Sequence, residues 1–120
     1  RPAMTPAERC EHDAVLAQAP VPYRDGYFVR PFSMAGSPYY DRGRRDWCGY
    51  LISRDGANVG PGCVWFRSVA DARVGIDCVY EAGGHAEIAS YWEKGGRMDH
   101  SWSDAFWKLL RERLPPKERP

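Results

Sequence analysis

The chain has 120 residues, a size that suits one domain with a single hydrophobic core. Its 17 Lys and Arg residues nearly balance 16 Asp and Glu residues, so no strong overall charge attracts nucleic acid or anionic membranes. No apolar run reaches the roughly 20 residues that a membrane span needs, and we expect no membrane partner. The chain has five Trp, seven Tyr and four Phe, while no pair of His, Cys, Asp or Glu has a spacing specific to a known chemistry. This combination favours a binding protein over an enzyme.

Both ends of the chain are expected to lie outside the folded domain. We take Met4 as the natural start and residues 1–3 as a foreign remnant, with 4–115 as a single domain and 116–120 as a disordered tail. The first residues lack the basic and apolar regions of a signal peptide, which indicates a cytoplasmic protein. A secreted chain after processing is the alternative.

A helix is predicted from Thr5 to about Ala19. Thr5 can cap it, Pro6 suits its first position, and Glu8 completes a capping box. The stripe expected to pack against the core consists of small residues: Cys10, Ala14 and Ala17.

Two strands with a long loop between them are predicted next. Alternation of side chains marks a strand over residues 26–32, in which Pro31 indicates an edge strand or a strand end. Residues 47–53 form the second strand, and Asp55-Gly56 marks a turn. The loop of residues 33–46 is long, and long loops are usually functional or mobile.

Three further strands are predicted over residues 63–68, 73–80 and 85–93. A hairpin tip at Ala70-Asp71 and a turn at Gly83-Gly84 connect them into an antiparallel meander. Cys63 and Cys78 then face each other on neighbouring strands. The sequence leaves open whether they form a disulfide or remain two buried thiols.

The C-terminal helix is the element that the sequence defines best. Ser101 with Asp104 can cap it, and Pro115-Pro116 ends it. Its apolar stripe, at helical spacing, consists of Trp102, Phe106, Leu109, Leu110 and Leu114. The predicted fold class is therefore α+β: an N-terminal helix, an antiparallel meander sheet of about five strands, and a C-terminal helix packed on one sheet face.

The triplet His85-Ala86-Glu87 resembles the H-x-E element of zinc-dependent nucleobase deaminases. In that family the His binds zinc, the Glu transfers protons, and a downstream Pro-Cys-x-x-Cys supplies the other ligands. Every cysteine of this chain lies upstream of His85, so we predict no metal, no cofactor and no catalytic residue. A small metal-dependent or acid/base enzyme that uses His85 and Glu87 is kept as an alternative.

An aromatic and basic segment, residues 39–47, is a candidate binding loop. Guanidinium groups beside aromatic rings suit stacking on bases and pairing with phosphates in RNA or single-stranded DNA. The same residue types dominate protein–protein binding energy. The candidate residues are Tyr39, Tyr40, Arg42, Arg44, Arg45 and Trp47.

The charge expected on the sheet face that the helices leave uncovered distinguishes between these partners. If the helices cover the face that carries Ile76, Ile88 and Trp92, the other face combines apolar side chains with carboxylates, which repel phosphates. We therefore expect a protein-binding module, such as an inhibitor, an immunity-type protein or a phage-encoded accessory protein, with nucleic-acid binding as the alternative. The candidate residues of this face are Phe66, Asp77, Glu87 and Tyr91. The oligomeric state is left open.

Overall fold

The computed structural model describes residues 4–33, 48–59 and 64–114. Within these ranges there are four helices, α1 (Pro6–Leu16), α2 (Val69–Glu81), α3 (His85–Ala89) and α4 (Ser103–Arg113). The same ranges contain four strands, β1 (Val21–Tyr23), β2 (Tyr27–Ser33), β3 (Cys48–Arg54) and β4 (Ala57–Asn58). The expected remnant 1–3, tail 116–120, binding loop 39–47 and Cys63 lie outside the described residues. Within the described ranges, no helix is long and apolar enough to cross a bilayer.

The strands form one antiparallel sheet in the order β1-β2-β3-β4. The α+β fold class is therefore confirmed, with four strands in the described residues instead of about five. Asp55 and Gly56 form the predicted turn between β3 and β4, and both have positive φ angles of 51° and 81°. Such a pair suits the two-residue hairpin turn that matches strand twist.

Helix α1 begins as the sequence predicts. The Thr5 hydroxyl accepts from the Glu8 backbone N–H at 3.2 Å, and the Glu8 carboxylate accepts from the Thr5 backbone N–H at 3.0 Å. The predicted packing stripe is wrong, because Cys10, Ala14 and Ala17 are all exposed. His12 is the buried residue of this helix, with 6% of its surface exposed.

Pro31 lies in β2, which has β1 and β3 as neighbours, but β1 does not reach it, so the predicted edge character holds locally on the β1 side of Pro31. Its partner in β3 is Tyr50, whose backbone N–H and C=O bind Phe66 on the side away from β2. The Pro31 nitrogen therefore points away from β3, toward the β1 side. Strand β1 stops at Val21 opposite Val29, short of Pro31, so no ladder hydrogen bond is lost there.

The predicted strand over residues 73–80 is wrong, because this segment lies in α2. The Ser68 hydroxyl caps the helix by accepting from the Asp71 backbone N–H at 3.1 Å. Its buried residues recur at helical spacing: Ala72, Gly75, Ile76, Cys78 and Val79. Cys78 is a free buried thiol on this helix, which contradicts its predicted position on a hairpin strand.

The predicted strands over residues 63–68 and 85–93 are also wrong. Phe66 makes only an isolated bridge to Tyr50, and residues 85–93 form α3 followed by turns. Helix α4 begins at Ser103 without a side-chain cap, and Ser101 binds Asp99 instead of capping the helix. The predicted apolar stripe of α4 is confirmed, with Trp102, Phe106 and Leu110 buried.

Helices α1 and α2 both pack on the same face of the sheet, and α4 packs along α2. The core lies between this face and α2, and includes Tyr27, Val29 and Ile52 from the strands. Gly75 of α2 allows the Phe66 ring to lie against the helix backbone, because a Cβ at Gly75 would come 2.3 Å from Phe66 Cζ. On the opposite face, among the described residues, Phe28 and Arg30 are exposed, whereas Gly49 and Ser53 are buried.

Candidate functional site

The face of the sheet opposite α1 and α2 is named here the open sheet face. The strand register identifies the residues of this face, because successive side chains of a strand point to opposite faces and paired residues share a face. The strand residues on this face are Pro22, Phe28, Arg30, Phe32, Gly49, Leu51, Ser53 and Asn58. Of the described helices, α1 and α2 make the main contacts with the strands, and both lie on the other face, where His12 contacts Ser33 and Gly75 lies near Ile52.

Apolar and aromatic groups occupy the middle of the open sheet face. Phe28 is 38% exposed, while Phe32 and Leu51 are half-buried. The Trp65 indole lies over the backbone of Gly49, because a Cβ at Gly49 would come 2.0 Å from Trp65 Nε1. Gly49 thus lets a third aromatic ring approach the sheet, next to Leu51.

Among the described residues, the charged side chains on or beside the open sheet face are arginines. Arg30 is exposed and lies between Phe28 and Phe32 on β2, opposite Leu51 on β3. The Arg67 guanidinium lies 5.9 Å from the centroid of the Trp65 ring. Among the described residues assigned to this face there is no carboxylate, so the predicted acidic character of the free face is wrong.

The four predicted face residues do not share a surface. Phe66 is 3% exposed and belongs to the core, so it is unavailable for docking. Tyr91 is half-buried and its ring meets the Trp92 ring edge-on, with centroids 4.8 Å apart. Asp77 and Glu87 lie on α2 and α3 rather than on strands of the sheet.

Each of the two predicted carboxylates already has partners. Asp77 accepts hydrogen bonds from the Tyr23 hydroxyl at 3.1 Å and from Arg24 Nη1 at 2.8 Å. Glu87 pairs with Lys94 at 2.7 Å and accepts from the Asp99 backbone N–H at 3.3 Å. The hydrogen bond from Lys94, reinforced by the Asp99 N–H, lowers the pKa of Glu87.

His85 does not meet Glu87 but belongs to a second group of side chains, the tyrosine–histidine cluster: Asp25, Tyr27, Tyr80 and His85. His85 Nδ1 lies 2.8 Å from the Tyr27 hydroxyl oxygen, and the imidazole stacks on the Tyr80 ring. The Tyr80 hydroxyl donates to Asp25. The Arg24 guanidinium covers the Tyr80 ring, 3.6 Å from its centroid.

Burial and hydrogen bonding set the protonation of this cluster. Burial, aided by the nearby Arg54 charge, lowers the pKa of His85. Burial and the bond to Asp25 raise the pKa of Tyr80 to about 12, and burial raises the pKa of Tyr27. The bond from Tyr80 lowers the pKa of Asp25. At neutral pH the rings are therefore neutral and the carboxylate is charged, an arrangement that fixes the β1–β2 turn against α2 and α3.

Metal binding finds no support in the described ranges, because no three His, Cys, Asp or Glu side chains there group closely enough to hold an ion. His85 and Glu87, the residues that carry the deaminase resemblance, have separate partners. The chemistry of the open sheet face is therefore the more informative feature.

Comparison with protein-family models, curated proteins and solved structures finds no match for this chain.

Sequence reasoning missed Phe28, Arg30 and Phe32 as site residues. The alternation in residues 27–32 did place these three side chains on one side of a strand. It could not show which side the helices cover, because that depends on where α1 and α2 pack. The exposed side was then assigned to segments that are helical in the structure.

Proposed function

We propose that the protein binds single-stranded nucleic acid, RNA or DNA, on the open sheet face. The observation that carries the proposal is Arg30, exposed between Phe28 and Phe32 on one strand, with the Trp65 indole and Arg67 nearby and no described carboxylate on the face. Aromatic rings accept stacked bases of any sequence, and guanidinium groups pair with phosphates.

The spacing along β2 suits an extended strand of nucleic acid. Phe28 and Phe32 are four residues apart, which places their Cα atoms about 13 Å apart at about 3.3 Å per residue. Arg30 lies between them on the same side, so a backbone that crosses β2 can meet a cation between two stacking rings. An antiparallel sheet with helices behind it and aromatic rings in front is a known way to present single strands.

Charge is the reason for preferring nucleic acid to a basic protein partner. The carboxylates expected to repel phosphates are on α2 and α3, where Asp77 and Glu87 are neutralised by Arg24 and Lys94. Among the described strand residues of the open sheet face, the charged side chain is that of Arg30. A second copy of this chain is disfavoured as the occupant, because it would bring the exposed Arg30 side chains of two molecules together.

The test is binding of a fluorescein-labelled oligothymidylate and oligouridylate, each about 20 nucleotides long, measured by fluorescence polarisation at about 50 mM salt. Phe28→Ala and Phe32→Ala should each weaken binding by about 1–3 kcal/mol, roughly 5- to 150-fold. Arg30→Ala should reduce the slope of log K against log salt by about 0.7. Leu16→Ala and Arg9→Ala, exposed on α1, are matched apolar and charged controls and should leave affinity unchanged.

The predicted loop contribution is tested in the same assay. Arg44→Ala with Arg45→Ala should reduce the salt slope further if segment 39–47 binds the same strand. Unchanged affinity in this double variant would restrict the proposal to the open sheet face.

Protein binding is the second candidate, favoured by Leu51 and Pro22, which offer apolar surface without a stacking ring. Its partner would have to be acidic to complement Arg30. Peptides selected by phage display on the intact protein should then combine acidic with apolar residues, and Arg30→Glu should abolish their binding. The narrower roles of inhibitor, immunity or phage accessory protein remain predictions within this candidate. If no oligonucleotide binds at low salt and such peptides are selected, the second proposal replaces the first.

A further inference from the structure

A serine, a histidine and an aspartate meet where α1 crosses the end of β2. The Ser33 Oγ lies 2.5 Å from His12 Nε2, and His12 Nδ1 lies 2.9 Å from Asp13 Oδ1. Ser33 is exposed, whereas only 7% of the His12 side chain is exposed. The order of groups is that of a nucleophile, a base and an orienting acid.

The carboxylate fixes which imidazole nitrogen carries the proton. An ionised carboxylate can only accept hydrogen bonds, so His12 Nδ1 donates to Asp13. In the neutral imidazole, Nε2 is then the acceptor and faces the Ser33 hydroxyl. This is the tautomer that can remove the proton of an attacking serine.

We propose that Ser33 is a base-activated nucleophile toward small activated esters, with His12 as the base and Asp13 as a positioning residue. Ser33 is an exposed residue beside a buried base, so a small ester can approach it from solvent while the imidazole stays in place. This activity is independent of nucleic-acid binding, because Ser33, His12 and Asp13 lie on the helix-covered side of the sheet or on α1.

The proposed reaction conserves atoms and protons. A bond forms from Ser33 Oγ to the ester carbonyl carbon, the hydroxyl proton moves to His12 Nε2, and the bond from that carbon to the alcohol oxygen breaks as the alcohol takes the proton. The water oxygen then forms a bond to the acyl carbon and gives one proton to His12 Nε2. The bond from that carbon to Ser33 Oγ breaks as His12 returns the proton to Ser33 Oγ, and the carboxylic acid leaves.

The test is labelling of the full chain with a fluorophosphonate probe, in which a bond from Ser33 Oγ to phosphorus replaces the phosphorus–fluorine bond. Peptide mass spectrometry identifies the labelled residue. Ser33 should be labelled, and Ser33→Ala should remove the signal. Ser101 is the matched control, because it is also exposed and its hydroxyl binds the Asp99 carboxylate directly, without an imidazole. Ser101→Ala should leave labelling unchanged.

Changes at the base and at Asp13 separate a catalytic arrangement from a structural one. His12→Gln should slow labelling about 10²-fold or more, the usual contribution of a general base. Asp13 is 62% exposed, so solvent screens its charge, and Asp13→Ala should slow labelling about tenfold without changing the melting temperature. Asp13→Asn should restore part of the rate, because its amide oxygen can still accept from Nδ1.

Two outcomes overturn the proposal. In the first, Ser33 of the wild-type protein is labelled no faster than Ser101. This measurement does not depend on the folding of any variant. The other is full labelling of Ser33 in a folded His12→Gln protein. Either result would leave His12 as a buried hydrogen-bonded link between α1 and β2. Hydrolysis of p-nitrophenyl acetate by the wild-type protein, lost in Ser33→Ala, would extend the result from the probe to an ester.

Discussion

The imidazole of His85 stacks on the ring of Tyr80, with centroids 4.3 Å apart and planes inclined by 17°. Tyr80 comes from the last turn of α2 and His85 opens α3, so the stack fixes the bend between these two helices. The Tyr27 hydroxyl is hydrogen-bonded to Nδ1 of the same imidazole. Protonation of this one imidazole therefore affects the contact of β2 with both helices.

Stability should fall as the pH decreases below about 6.5, in part because of His85. Its pKa is lowered in the fold by burial and by Arg54 and Arg24, against the opposing effect of Asp25. The unfolded chain therefore takes up this proton first as the pH falls, and the free energy of unfolding decreases from about pH 6.5 downward. Above that range this group contributes no pH dependence.

Urea unfolding of the wild type and of His85→Gln at about pH 7.5 and about pH 5.5 checks this prediction. His12 and His100 are present in both proteins, so the difference between them isolates His85. The wild type should lose more stability on acidification than the variant. An equal loss in both proteins would show that His85 is not the group responsible.

Alkaline stability should depend on Tyr80. Its pKa is raised to about 12 by burial and by the bond to Asp25. A raised tyrosine pKa stabilises the fold fully below the unfolded value of about 10, and this contribution is lost as the pH rises toward 12. Tyr80→Phe should show a smaller loss of stability over this range and a smaller phenolate absorbance change near pH 12. A titration curve unchanged by the substitution contradicts the prediction.

Gly75→Ala should destabilise the protein by about 1–3 kcal/mol through overpacking. The added Cβ would lie 2.3 Å from Phe66 Cζ and 3.1 Å from Ile52 Cδ1, both in the core. In a helix free of such contacts the same change stabilises by roughly 0.5–1 kcal/mol. The sign of the change therefore reports whether α2 lies against Phe66, and a stabilised variant would contradict this packing.

Ser68→Ala should cost about 1 kcal/mol, because the Ser68 hydroxyl satisfies the Asp71 backbone N–H at the start of α2. Ser103→Ala is the matched control. Ser103 is the first residue of α4, and that helix begins without a side-chain cap, so the change should be nearly neutral. Thermal unfolding of both variants measures the difference. Equal effects would mean that Ser68 contributes no cap.

The start of α1, strands β2 and β3 and the apolar stripe of α4 could be predicted from the sequence because local signals agree there, whereas β1 was not predicted. The capping box of Thr5 and Glu8, the alternation through residues 27–32 and the Asp55-Gly56 turn each specify backbone geometry within a few residues. The apolar stripe of α4 is long enough to define a helix by spacing alone.

The middle of the chain was misassigned because two periodicities compete in it. Residues 73–80 alternate as a strand would, but Ala72, Ile76 and Val79 also recur at helical spacing, and Ser68 with Asp71 marks a helix start. The alternation predicts a strand, whereas the cap predicts the helix that the structure has. The open sheet face could not be assigned from sequence, since its exposure depends on α1 and α2 packing on one side. The contact of His12 with Ser33 joins residues 21 positions apart, which no local pattern indicates.

The most direct test of nucleic-acid binding by the open sheet face is an amide-resolved NMR titration of the wild-type protein with unlabelled oligothymidylate at about 50 mM salt. We predict that the backbone amides of β2 around Phe28, Arg30 and Phe32, and of β3 around Leu51, shift with the oligonucleotide concentration, while those of α1 and α4 do not. Shifts confined to α1 or α4, or no shift at saturating oligonucleotide, would contradict the account.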